Sequence, residues 1–358
     1  MLRLLGKTLL GLVVLIAVVV AAGFGYRAWR QYDGERQLAI TTASGIDEAT
    51  FIGVRGTEQW ITIRGQDRSN PVLLVVHGGP GTALSPLATS FLNYEKDWTV
   101  VQWDQPGAGR TFSRAGYRIP PSTTIGDIVA DGIAVAEFVE NHLRKDTAVL
   151  LGLSWGSVVG IEMARARPDL FTAYVGTGLF VHRDDGRAIA YERVLSLART
   201  QSDAEAIAAL EAIGPPPYER PADARTQSEW TAALAGESST AADRIGQLLL
   251  APRQSLTDVR SLVRGYMASD EQFDLGAMDL RASGREFALP IVIIQGAEDY
   301  ATPAELARVY FDSIVAPQKT FVTLEGRGPY GSGRPCRRVS RGAERARSTS
   351  CSRRGKRG

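Results

Sequence analysis

The stretch GLSWG at residues 152–156 decides the fold, because it frames a serine with small residues where the local pattern changes. The apolar run AVLL at residues 148–151 predicts a short buried strand, and residues 158–167 predict a helix with one apolar face. A serine between such a strand and helix lies on a sharp turn with its hydroxyl exposed, and larger flanking side chains would clash with the pinched backbone. The pattern therefore predicts that Ser154 is a nucleophile.

A second segment follows an apolar strand and supplies glycines. Residues 72–76 (VLLVV) predict the strand, and HGGPG follows at residues 77–81. Backbone N–H groups of a glycine-rich turn can point at an anion, as an oxyanion hole requires. The alternative interpretation is a plain turn that ends a strand.

Two more predicted strands end in polar turns. Residues 100–103 lead into DQPGAGRT at residues 104–111, and residues 290–295 lead into GAEDYATP at residues 296–303. The second of these turns contains Asp299. An acid just past a late strand is where the orienting carboxylate of a Ser, Asp, His chain order is expected.

The four segments HGGPG, DQxGxGR[ST], GxSWGS and GxxDxxxP, in this order, resemble the prolyl iminopeptidase-like branch of the alpha/beta-hydrolase superfamily. The resemblance covers residues 45–324 and implies an alpha/beta-hydrolase fold with a mostly parallel central sheet. The site residues that it implies are the nucleophile Ser154, the acid Asp299, and oxyanion N–H donors at Trp155 and at Gly78 or Gly79.

Two departures from the family pattern concern specificity. Pro106 stands where characterised iminopeptidases usually carry arginine, and Leu153 stands where they usually carry a second glycine. These departures weaken the implication of proline specificity and leave the implied fold unchanged. The resemblance thus implies a serine hydrolase that cleaves an amide or ester bond of a small peptide, amide or ester substrate. A carboxylesterase and a catalytically silent binding protein are the alternatives.

The triad that the resemblance implies needs a histidine after Asp299, and the sequence has none there. The three histidines are His77, His142 and His182. His77 belongs to the glycine-rich turn, and His142 lies near the end of an amphipathic helix, where we expect a solvated or capping role. His182 begins an inserted region and is the candidate for a substitute base.

The chain changes character after residue 325. Residues 326–358 contain ten Arg and one Lys against one Glu, whereas the rest of the chain carries 30 basic and 38 acidic residues. Codons for residues 327–331, shifted by one base, permit Ala-Gly-His-Met-Ala, with the histidine overlapping Pro329. We therefore expect a change of reading frame there. We also expect the basic tail to be disordered, because its few apolar side chains cannot offset the entropy lost on folding. The alternative is a genuine basic tail that binds nucleic acid or anionic lipid, although no nucleic-acid partner is expected.

The amino end contains 19 uncharged and mostly apolar residues, 8–26, with basic residues on both sides. That length fits a helix that crosses a bilayer. We expect an anchor with the catalytic domain in the periplasm or outside the cell, and a cleaved signal peptide followed by secretion is the alternative. Both cysteines, Cys336 and Cys351, lie in the tail, so the body gives no information on the redox compartment.

At 358 residues, the chain fits one large domain with an insertion. The predicted organisation is an anchor or signal peptide (1–26), a linker (27–39), the first part of the core (40–181), a helical cap (182–286), the second part of the core (287–325) and the tail (326–358). No metal-ligand cluster, Walker loop or dinucleotide fingerprint appears in the sequence, so no cofactor or metal is expected.

An iminopeptidase must recognise a free ammonium group, which calls for carboxylates that face the pocket. The predicted cap supplies the candidates Glu192, Glu205, Glu211, Glu219, Glu229, Asp270, Glu271 and Asp274. Acids on a helical cap are usually solvated, so the sequence does not select among them.

Overall fold

The computed structural model describes residues 2–235, 241–276, 278–326 and 328. One eight-stranded sheet in these residues has the order β1-β2-β4-β3-β5-β6-β7-β8. Its strands are β1 (Ile46–Val54), β2 (Thr57–Gly65), β3 (Val72–Val76), β4 (Thr99–Trp103), β5 (Ala148–Leu153), β6 (Phe171–Thr177), β7 (Ile291–Gly296) and β8 (Lys319–Leu324). The β1–β2 and β2–β4 pairs are antiparallel and the other five pairs are parallel.

The sheet confirms the predicted mostly parallel architecture. Its central strands are continuous apolar runs because helices cover both faces, and all five side chains of β3 are buried. The helices of the described residues are α1 (Leu2–Gln37), α2 (Gly109–Arg114), α3 (Ile125–Leu143), α4 (Trp155–Ala166), α5 (Arg183–Gln201), α6 (Ala204–Ile213), α7 (Pro221–Ala235), α8 (Ala241–Leu250), α9 (Leu256–Gln272) and α10 (Ala304–Ser313).

The inserted region between β6 and β7 is helical, and it contains α5 to α9. These helices agree with the helical cap predicted at residues 182–286, although apolar periodicity did not predict α7 or α9. Helix α9 starts with a capping box in which the Ser255 and Asp258 side chains each accept from the other's backbone N–H. Its Arg, Asp and Ser residues interrupt the apolar periodicity, so the capping box was the usable signal.

Helix α1 extends beyond the predicted anchor, and the expected linker at residues 27–39 was wrong. The helix continues to Gln37, and Leu38 is buried. Tertiary contacts hold this extension, because Gly34 packs against the ring of Pro252 and Glu35 pairs with Arg253. One described helix, within residues 7–37, is long and apolar enough to cross a membrane.

A buried ion pair joins the antiparallel edge of the sheet to the loop before β4. Arg64 is 3% exposed and Glu95 is 1% exposed, and Arg64 Nε donates to Glu95 Oε1 at 2.9 Å. Arg64 also donates to the Leu38 carbonyl, which ties the end of α1 to β2. Arg64 also pairs with Asp47, which is partly exposed, so loss of Glu95 would leave the buried Arg64 charge with that one weaker counter-ion.

We expect Glu95→Ala to lower the free energy of unfolding by about 3 kcal/mol, because Arg64 loses a buried counter-ion. The control is Glu58→Ala, whose partner Arg114 and own side chain are about half exposed. That control should change stability by less than about 1 kcal/mol. Urea unfolding of the detergent-solubilised chain, followed by tryptophan fluorescence, measures both. Equal losses of stability in the two variants would show that the buried Arg64–Glu95 pair contributes no more than an exposed ion pair.

Candidate active site

Ser154 lies between β5 and α4 in a backbone conformation that non-glycine residues rarely adopt. Its φ is 51° and its ψ is −120°, and its side chain is partly exposed. The Ser154 N–H donates to the Thr177 carbonyl at 3.0 Å, and the Ser154 carbonyl accepts from the Ser157 hydroxyl. Strained backbone of this kind persists only where surrounding contacts fix it, and it concentrates at functional sites.

The two glycines that frame the serine explain the contacts that hold this turn. A Cβ on Gly156 would overlap the Val76 carbonyl and lie 2.5 Å from the His77 carbonyl. A Cβ on Gly152 would lie 2.6 Å from the Gly156 carbonyl. The helix can therefore approach the carboxyl end of β3 only because both positions lack a side chain.

The predicted oxyanion donors lie at the start of α4 and in the turn after β3. Trp155 is the first residue of α4, so its backbone N–H is among those without an acceptor in the helix. Gly79 has a φ of 123°, and a Cβ there would lie 2.7 Å from the Gly81 nitrogen. The glycine is thus required by the conformation of the turn.

His77 is a brace for the turn. Its Nε2 accepts from the Gln105 backbone N–H at 3.1 Å, so the proton is on Nδ1, which lies 2.8 Å from the Gly78 carbonyl. Burial lowers the pKa of His77 to about 4, so the ring is neutral at physiological pH. Because both nitrogens are engaged, His77 is not available as a general base.

Gln105 connects three parts of the site, and the sequence gave it no role. Its Nε2 donates to the His77 carbonyl at 3.0 Å, and its Oε1 accepts from Trp155 Nε1 at 3.0 Å. The side chain thereby fixes the glycine-rich turn relative to the start of α4. Its place in the polar turn that follows the buried strand β4 was the available signal.

Asp299 lies in the loop between β7 and α10 with no exposed surface. Its Oδ1 accepts from the Ala301 and Thr302 N–H groups at 2.9 and 2.8 Å. Its Oδ2 accepts from the Thr302 hydroxyl at 2.7 Å and from Gln295 Nε2 at 3.2 Å. Burial raises the pKa of Asp299, and the bonds from Thr302 oppose that rise.

Ser154 and Asp299 follow parallel strands that have only β6 between them. The carboxyl ends of β5 and β7 therefore meet at one edge of the sheet, about 10 Å apart. Residues after β6 link the two loops, because Leu179 N–H donates to Gln295 Oε1 and Phe180 N–H donates to Ser157 Oγ.

A cap residue also holds the acid loop. Arg193 of α5 donates to the Asp299 carbonyl at 3.1 Å and to the Ala297 carbonyl at 3.3 Å, and it pairs with Glu305 at 2.7 Å. The position of Asp299 thus depends on the docking of α5. The sequence could not predict this contact, since the two residues are more than 100 positions apart.

A second contact between cap and core starts from the turn after β4. The Arg110 guanidinium lies 4.6 Å from the centre of the Trp60 ring and pairs with Asp258 at the start of α9. The Arg110 N–H donates to Asp104 Oδ2 at 2.9 Å, while Asp104 Oδ1 has no hydrogen-bond partner. Burial raises the pKa of Asp104 to about 6.

The other two histidines contact residues other than the predicted nucleophile and acid. His142 pairs with Glu48 at 2.6 Å and stacks on Phe138 at the surface. His182 caps α5, because its Nδ1 accepts from the Asp185 N–H, and it lines a small cavity beside Thr302. The same Nδ1 lies 3.3 Å from Asp185 Oδ2, so the ring is held at the start of α5.

The remaining expectations concern the tail, the cap acids and metals. Pro329 and the basic tail lie outside the described residues, except for Gly326 and Gly328 of that segment. All eight candidate acids of the cap are exposed, and one of them, Glu211, pairs with Arg199. Within the described part of the chain, no cluster of three or more metal-ligating side chains occurs.

The chain belongs to the alpha/beta hydrolase family, whose family model matches residues 72–341. It is similar to a Bacillus subtilis protein named probable aminopeptidase YbaC, with 28% identity over 76% of this chain and 88% of that protein. A probable proline iminopeptidase of Streptomyces coelicolor is 34% identical over 30% of this chain and 32% of its own length.

Solved structures agree with this fold. The proline iminopeptidase-related protein of Thermus thermophilus superposes with a TM-score of 0.52 at 18% identity, over 79% of this chain and 90% of its own. The proline iminopeptidase of Mycobacterium smegmatis superposes with a TM-score of 0.52 at 20% identity, over 78% and 90%.

The Gly156 contact gives a test of the turn. We expect Gly156→Ala to lower the free energy of unfolding by about 2 kcal/mol, because the added methyl overlaps the Val76 carbonyl. The control is Gly126→Ala in α3, where a Cβ would lie 3.5 Å from the Thr124 hydroxyl oxygen. Because alanine favours a helix, that control should stabilise by about 0.5–1 kcal/mol. Urea unfolding measures both variants, and the same sign in both would contradict the contact.

The pKa of Asp104 gives a second test, on stability against pH. With a folded pKa of about 6, against 3.8 for an ordinary aspartate, the folded state keeps a proton that the unfolded state loses. The Asp104 contribution to stability is thus lost as the pH rises from about 4 to about 6. Asp104→Asn should remove this loss. The difference in the free energy of unfolding, variant minus wild type, should therefore increase by about 2–3 kcal/mol as the pH rises across that range. A constant difference would contradict the shifted pKa.

Proposed function

We propose that the chain is built as a serine hydrolase for amide or ester bonds, with Ser154 as nucleophile and Asp299 as the acid. The main support is the strained Ser154 turn at the same sheet edge as Asp299. Asp299 is held by four hydrogen bonds in a buried loop just past a late strand, where the orienting carboxylate of a triad is expected. The family membership supports the same chemistry.

In the proposed reaction, the Ser154 hydroxyl attacks the substrate carbonyl and its proton passes to a histidine. The negative charge that develops on the carbonyl oxygen is stabilised by the Trp155 N–H and by an N–H of the Gly78 and Gly79 turn. The histidine then protonates the leaving group, and water releases the acyl group from Ser154.

The proposed place for that histidine is the turn after β8. This strand lies beside β7 at the edge of the sheet, so the next turn leads toward the Asp299 loop. The sequence carries no histidine there, which supports a change of reading frame after Gly326. We infer that the chain as written is a poor catalyst, because His77 is braced and His182 is used as a helix cap.

Aminopeptidase action is the first candidate, because the relatives with the named activities are aminopeptidases and proline iminopeptidases. Carboxylesterase action is the second, and one observation favours it: every candidate acid of the cap is exposed to solvent. A catalytically silent binding protein remains the proposal for the chain as written.

Helix α1 is the proposed membrane anchor, with the catalytic domain outside the cytoplasm. Its exposed apolar residues from Leu9 to Phe24 have no protein surface to cover them in the described structure. A cleaved signal peptide is the competing proposal, and determination of the mature amino terminus separates the two.

Activity tests the proposal. A gene with the reading frame restored after the Gly326 codon should encode an enzyme that hydrolyses proline p-nitroanilide or p-nitrophenyl acetate at least about 10⁴-fold faster than the chain as written. The matched control is Ser154→Ala in the restored chain, which should return both rates to those of the chain as written.

Hydrolysis of the ester alone would support the carboxylesterase. Equal and serine-dependent rates in the two chains would contradict the inferred loss of the base, and His182→Ala would then identify or exclude the substitute. Rates that do not respond to Ser154→Ala would refute the serine mechanism.

A further inference from the structure

The anchor helix carries a belt of aromatic residues that marks where a bilayer surface would lie. Its uncharged run ends at Tyr26, and the exposed aromatic side chains around and beyond that point are Phe24, Tyr26, Trp29 and Tyr32. Tryptophan and tyrosine concentrate at membrane–water interfaces, where one part of the ring is apolar and another is hydrated. If α1 crosses a bilayer, the headgroup layer therefore surrounds residues 24–32.

The catalytic body begins at that same level, with no spacer. Arg27 Nε donates to the Leu249 carbonyl at 3.0 Å, only one residue past the uncharged run. Gln31 Nε2 donates to the Ala251 and Gln254 carbonyls at 2.9 and 2.8 Å. At 1.5 Å of rise per residue, these contacts lie within about 8 Å of Tyr26 along the helix. The turn between α8 and α9 is thus placed at the depth of the headgroups.

Next to this turn, α9 exposes an apolar stripe. Leu256, Val263 and Met267 are spaced by seven and four residues, so they share one face of the helix, and they are 50%, 36% and 65% exposed. Arg260 and Arg264 lie beside the stripe and are exposed, with their guanidinium groups 5.6 and 5.0 Å from the centre of the Tyr117 ring. The acids Asp270 and Glu271 are in the last turn of α9, at the end opposite to the turn that contacts α1. An exposed apolar stripe flanked by arginines is typical of a helix that lies in a membrane interface.

The opposite face of α9 covers the candidate active site. A Cβ on Gly81 would lie 2.6 Å from the Gly265 carbonyl, and Ser269 Oγ donates to the Gly107 carbonyl at 3.2 Å. The Phe273 ring lies 5.2 Å from the Trp155 ring. The same helix therefore contacts the glycine-rich turn on one face and exposes apolar side chains on the other.

We propose that the α8–α9 corner and the exposed stripe of α9 rest in the headgroup layer of the bilayer that α1 crosses. This proposal depends on the proposed anchor. The continuity with α1, the level of its aromatic belt and the arginines beside the stripe together identify the occupant as a phospholipid surface with anionic headgroups. The cap is then a second contact with the membrane, and the catalytic body has one fixed orientation on it.

Site-specific fluorescence in the full chain tests the contact. The body has no cysteine, so Cys336→Ser and Cys351→Ser give a cysteine-free background for single labels. The test positions are Leu256→Cys and Met267→Cys, each carrying the polarity-sensitive dye NBD. The control is Val309→Cys on α10, which is 60% exposed and packs at the β7–β8 edge, away from α1. Val20→Cys reports whether α1 itself enters the bilayer.

The labelled chains are reconstituted in vesicles of phosphatidylcholine and phosphatidylglycerol, with and without doxyl-labelled lipid. We expect doxyl quenching and a blue-shifted emission at Leu256→Cys, Met267→Cys and Val20→Cys, and an aqueous signal at Val309→Cys. Quenching at Val20→Cys with aqueous signals at both α9 positions would overturn the contact and leave the anchor standing. An unquenched or cleaved Val20→Cys label would overturn both.

Discussion

The close approach of α4 to the carboxyl end of β3 is the constraint on which the rest of the site depends. Helix and strand can meet because Gly156 has no side chain to overlap the Val76 carbonyl. This contact turns the chain sharply after β5 and forces Ser154 to a positive φ. The strain is local, and the buried strands around it supply the contacts that maintain it. The proposed nucleophile is thus a consequence of packing at a position two residues away.

Two glutamine side chains connect the loops around the candidate site. Gln105 joins the glycine-rich turn to Trp155, and Gln295 joins Asp299 to the loop after β6. An amide can donate and accept at once, so each residue satisfies buried groups on two sides without the desolvation cost of an ion. The proposed nucleophile and acid are therefore connected by neutral amide networks, and the charged Arg193 holds the acid loop from the cap side.

The helical cap also holds residues of the candidate site in place. Arg193 fixes the acid loop, Arg110 holds the start of α9, and α9 packs on the glycine-rich turn. The turn before α9 also contacts α1. The candidate site and the amino-terminal helix are therefore connected through α9 and the turn that precedes it. A displacement of the cap would alter the proposed acid and the oxyanion turn together.

The sequence by itself determined the strands around Ser154, the order of the motifs and the helical nature of the insertion, because period, apolar runs and glycine spacing are local properties. It also located Ser154 and Asp299 at strand ends, where parallel strands bring loops together. The predicted linker at residues 27–39 was wrong and helix α9 was missed, and both errors have the same cause. Their structure comes from contacts such as Gly34 with Pro252 and Arg110 with Asp258, between residues far apart in the chain. The roles of Gln105 and Arg193 were likewise decided only by the tertiary structure, because a hydrogen bond of that kind leaves no spacing in the sequence.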